Sequence, residues 1–165
     1  MTKDPVLGSG EHARFLYGGA NPEYEFAAKA ATHDLKGANA YFQLFFGGHN
    51  SRPSHRNEFR LRVPIQAIVM YRGFRATAYP FLSLTPGVKY GSADGGRTIW
   101  CDEVFDQSLS DAARRLHLAK HFVSSRGEAN GNKELHSAGD VEGRVGTDGR
   151  PYLLDLARVF PPEDA

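Results

Sequence analysis

The chain has 165 residues, 41% of them hydrophobic and 24% charged, a balance that suits one globular domain with a real core. A mean hydropathy of -0.45, with no apolar run of the length a bilayer requires, excludes a membrane-spanning helix. Twenty basic and nineteen acidic side chains leave a net charge of +1, without the large basic excess of a protein that binds nucleic acid by counterion release.

The N-terminus "MTKDPVLGSGEHARF" lacks the basic-then-apolar layout of a signal peptide. With "YGGA" after it, the segment 1–22 reads as an extended lead-in to a domain covering 23–165. Asn21-Pro22-Glu23 is a helix start: a capping residue, proline at the first helical position and an acid in the first turn. The alanine-rich run that follows continues through Leu44, and Gly37 within it marks a close approach or a break. "GGHNSRPSHRNE" is a loop by composition.

The period then changes. "FRLRVPIQAIVMYRGFRATAYPFLSL" is rich in β-branched and aromatic residues and reads as a hairpin turning near Arg72-Gly73. Phe74, Ala76 and Ala78 alternate with Arg75 and Thr77 and are expected on the buried face. "VKYGSADGGRTIWCD" gives two short strands around a glycine turn. Ser108 or Ser110 is the expected cap of a helix through "DAARRLHLAKHFV", with Ala112, Leu116, Ala119 and Val123 as its apolar stripe. "SSRGEANGNKE" reads as a mobile loop. The chain closes on a hairpin, "VEGRV" and "PYLLDLARVF", joined by Thr147-Asp148-Gly149. This order predicts an α+β fold, a mainly antiparallel sheet of hairpins packed with two main helices.

Several residue groups are candidates for chemistry. Asp140, a hairpin, and Asp155 within "LLDLAR" imitate the order of catalytic acid and magnesium-binding aspartate in protein-kinase-type phosphotransferases. The metal-binding asparagine after Asp140 is missing, Ala157 stands where a glycine belongs, and the lead-in is too short for a phosphate-covering hairpin. The competing expectation pairs Asp155 with Arg158, Arg144 or Arg150, or has it accept backbone N–H bonds. "YGSADGGRT" resembles a phosphate cradle, but a strand follows it rather than a helix N-terminus, which favours a turn. His117 and His121 stand four residues apart, as zinc ligands on one helix face do, with no third ligand in view. Cys101 alone forms neither an internal disulfide nor a thiolate cage, and burial as a small apolar residue is its default. One unpaired cysteine agrees with a reducing compartment, so the expected location is cytoplasmic. Arg52, Arg56, Arg60 and Arg62, with Lys133, are the candidate contacts for RNA phosphates.

Taken together, "EFAAKAATHDLKG", "LRVPIQAIVMYRGFRATA", "VKYGSADGGRTI", "ARRLHLAKHFV" and "GDVEGRVGTDGRPYLLDLARVFPPE" resemble the Clu domain of the clustered-mitochondria protein family. The motif-bearing positions are Gly91, Asp94 and Gly95, then Glu142, Gly143, Asp148, Gly149, Arg150, Tyr152, Asp155 and Arg158, all read as architectural. The resemblance covers residues 24–163 and implies only the central domain of large cytosolic proteins that also carry helical repeats. It implies a scaffold in assemblies that govern mitochondrial distribution and associate with messenger RNAs for mitochondrial proteins. No catalytic residue and no cofactor are carried over. The expected partners are proteins of such an assembly, with RNA a further candidate, no DNA and no insertion into membranes. The balance leans away from an enzyme. The alternative is a kinase-like nucleotide-binding fold, active or decayed, with an Asp140/Asp155 metal site.

Overall fold

The computed structural model describes residues 13–17, 22–46, 61–72, 74–127 and 131–160. Among them, β1 (Ala13–Tyr17) lies within the expected lead-in and pairs antiparallel with a later strand. Helix α1 (Pro22–Phe46) begins at the proline and passes through Gly37 without a break. The reason for that glycine is the close approach: a Cβ there would clash with the carbonyl oxygen of Leu156.

The first hairpin is β2 (Ala67–Tyr71) and β3 (Phe74–Pro80), turning at Arg72, whose φ is +48°. The strand order is β1-β3-β2, with β3 central. Residues 61–66 are not a strand extension. Arg62 instead makes an isolated parallel bridge to Tyr152, its N–H donating to Pro151 O and its carbonyl accepting from Leu153 N–H, both at 2.8 Å. The expected burial pattern of β3 is reversed at the described positions: Thr77 is buried and Ala78 only half-buried. Thr77 and Tyr79 share a face, and the Tyr79 hydroxyl reaches Asp34 on α1, so the helix covers the Thr77 side.

Next come β4 (Tyr90–Gly91) and β5 (Trp100–Cys101), then α2 (Glu103–Leu116). The helix starts five residues before the expected serine cap. Asp102 is the N-cap, its carboxylate accepting the Val104 N–H at 3.0 Å, with Glu103 and Asp106 in the first turn. Phe105, Leu109, Ala112 and Ala113 form the buried stripe. His117 then adopts a left-handed C-cap, φ +57°, and its N–H donates to Ala113 O, so the helix ends there. "HFV" is not helix but β6 (His121–Val123), which pairs with β7 (Lys133–Leu135), a strand that takes in the last two residues of the segment read as a loop.

The closing hairpin forms as expected from β8 (Glu142–Val145) and β9 (Pro151–Leu154). The hairpins thus make three sheets among the described residues: β1-β3-β2, β5-β4-β8-β9 and β6-β7. Two helices and antiparallel strand pairs make this an α+β fold. The core gathers Tyr41 of α1, Leu61, Tyr90, Ile99, Leu109 of α2, Leu135, Val141, Leu153 and Leu156, all essentially inaccessible. Burial of side chains this large stabilises by roughly 1.5–3 kcal/mol each.

Candidate functional site

The two aspartates of the kinase-like reading lie in an acidic corner where α1, β3 and the exit of β9 meet. Asp34, 7% exposed, is its fixed point. Its Oδ1 accepts the Leu156 N–H at 2.6 Å and its Oδ2 accepts the Tyr79 hydroxyl at 2.9 Å. One buried carboxylate thereby ties helix, sheet and C-terminal segment together. Asp155 follows β9 in a left-handed conformation, φ +54°, which aspartate tolerates better than most residues. Burial, then Asp140, Asp34 and Glu142, push the Asp155 carboxyl up to about 6, against the opposing pull of Arg158.

Asp140 and Asp155 are thus brought near enough to interact, but each arginine expected beside Asp155 bonds another acid. Arg158 pairs with Asp140, Arg144 with Glu142 at 2.7 Å, and Arg150 with Asp148 at 3.6 Å. Among the described residues, no group of three or more His, Cys, Asp or Glu side chains is placed to hold a metal ion. Arg158 on Asp140 is a largely exposed partner.

The other polar candidates resolve into turns and caps. Ser92 Oγ accepts the Gly96 N–H at 3.0 Å, and Asp94 Oδ1 accepts the Thr98 N–H at 3.0 Å and the Ser92 hydroxyl at 2.8 Å. The loop's own amide groups therefore hold a carboxylate, which those bonds keep ionised down to a pKa of about 2. A phosphate would meet that charge. Asp148 does the same in the last hairpin, accepting from Arg150 N–H at 3.1 Å and from the Tyr152 hydroxyl at 2.9 Å around Gly149. Gly91, at φ +74°, passes so close to Val141 that a Cβ would overlap its carbonyl oxygen. Gly143 lies under the Phe105 and Tyr90 side chains.

His117 and His121 do not share a helix face, because α2 ends between them; the His121 ring contacts Ala119 O. Cys101 is exposed rather than buried, since β5 is a two-residue strand at the sheet's edge. Partial burial of the thiol, with Asp106 beside it, pushes its pKa up to about 11, which disfavours the thiolate form. Of the proposed RNA contacts, Arg62 lies against the β8–β9 hairpin and Lys133 on β7, whereas Arg52, Arg56 and Arg60 lie outside the described residues.

The feature that residue-by-residue inspection of motifs missed is an apolar face. A groove of about 270 Å³ runs between α1 and the segment before β2, lined by Leu35, Ala38, Asn39, Phe42, Pro64, Ile65 and Gln66. Ile65 on its rim is 77% exposed, and the Phe42 ring lies 5.1 Å from that of the exposed Phe46 one turn along, tilted against it by 34°. Along β2, Val69 and Tyr71 are exposed on one face and Met70 on the other. The signal was present in the sequence: "PIQAIVMY" carries no charge, yet only one face of such a strand can be buried against α1. No described helix is long and apolar enough to cross a membrane.

Comparison with known proteins agrees with the sequence motifs. The model of the Clustered mitochondria (CLU) family matches residues 15–165. The chain is 37% identical over 150 residues to a Clustered mitochondria protein homolog of Caenorhabditis elegans, covering 83% of this chain and 11% of that protein. It is 33% identical over 146 residues to the Danio rerio homolog, covering 83% and 9%. With the Protein clueless of Drosophila persimilis it shares 36% identity over 105 residues, 58% of this chain and 7% of that protein. The chain thus spans about a tenth of the length of the curated relatives it matches. No solved structure matches. The match across almost the whole chain establishes that it belongs to the Clustered mitochondria family.

Proposed function

We propose that the chain is a non-enzymatic interaction module of the Clu type, a scaffold in cytosolic assemblies linked to mitochondrial distribution and to messenger RNAs for mitochondrial proteins. The observation that carries this reading is the apolar groove and the exposed side chains around it, on a domain of the Clustered mitochondria family. The relatives' names supply the mitochondrial setting. The partners are proteins of such an assembly. RNA is a second partner, contacted through Arg62, Lys133 and the arginines at 52, 56 and 60.

The test is proximity labelling with the tagged chain in the cytosol of cells depleted of their own family member. Enrichment of proteins from ribonucleoprotein or organelle-positioning assemblies supports the reading, and a profile equal to the tag alone contradicts it. For RNA, binding by fluorescence anisotropy should fall steeply with salt; a flat response removes RNA from the partners. The competing nucleotide reading predicts a thermal shift with ATP and Mg²⁺ that Asp155→Ala abolishes. The Arg158–Asp140 pair supports the opposite result, no shift.

A further inference from the structure

We draw no further inference here: the strongest candidate, the apolar groove between α1 and the segment before β2, carries nothing more because nothing in the structure shows what covers it.

Discussion

The two halves of the molecule use their residues differently. From Tyr90 onward, nearly every polar side chain of the family motif is held by a neighbour: Asp94 by its own loop, Asp148 by its hairpin, Asp140 by Arg158 and Glu142 by Arg144. Glycines there admit backbone contacts that no side chain would permit. The α1–β2 region contributes Tyr41 and Ala38 to the core but leaves Phe42, Phe46, Ile65 and Tyr71 toward solvent. The contrast teaches that the most recognisable string in a sequence can be architecture. Asp34 joins the halves, reaching from α1 to Leu156.

That contrast can be broken by substitution, and the largest effect is expected at Gly91. Gly91→Ala places a Cβ against Val141 O at a positive φ and should cost about 3 kcal/mol or more. Urea denaturation would show it, and a loss below about 1 kcal/mol would mean that β4 and the Val141 segment separate easily. Asp34→Ala comes next. It leaves the Leu156 N–H and the Tyr79 hydroxyl without their acceptor, at about 2–3 kcal/mol, whereas Tyr79→Phe removes one bond and should cost about half as much.

Asp155 gives an effect of opposite sign. Its folded pKa, about 6, lies above the unfolded carboxyl value, so the native state binds the proton more tightly. The resulting stabilisation is fully present below the unfolded pKa and is lost as pH rises through about 6. Asp155→Asn should therefore stabilise the domain at pH 7.5, by about 1 kcal/mol after allowance for solvent screening, because the residue is exposed and its carboxyl is only partly withdrawn from water. The difference in melting temperature between the two proteins should shrink as pH falls toward 5. A destabilised variant at pH 7.5 would contradict the crowding of carboxylates in that corner. Arg158→Ala breaks an exposed pair and should cost less than about 1 kcal/mol while raising the Asp155 pKa further. Ile65→Glu, at the other end of the scale, should change stability by no more than about 0.5 kcal/mol.

Much of the fold was legible from local chemistry. Pro22 after a capping residue located the start of α1, Arg72-Gly73 and Asp148-Gly149 located two hairpins, and Gly37 in an alanine-rich helix left open a close approach or a break, of which the structure shows the first, against Leu156. The start of α2 was misplaced because two serines outweighed Asp102, although Phe105, Leu109, Ala112 and Ala113 already held helical spacing. Its end was misplaced because nothing in "RRLHLAK" announces that His117 will turn left-handed; tertiary packing of β6 on β7 decides it. Thr77 was read outward because alternation alone does not say which face of β3 the helix covers. The acidic corner was half legible. Asp140 and Asp155 were visible, but Asp34 stands 122 residues before Leu156 and only the fold brings them together.

The central claim is that the working surface of this domain is the α1–β2 groove rather than the aspartates of the family motif. Its most direct test is a ¹⁵N–¹H correlation spectrum of the full chain, titrated with ATP and Mg²⁺. Amides of Asp140 and Asp155 that stay unmoved are the predicted result. Saturable shifts gathered at Asp140 and Asp155 would contradict it.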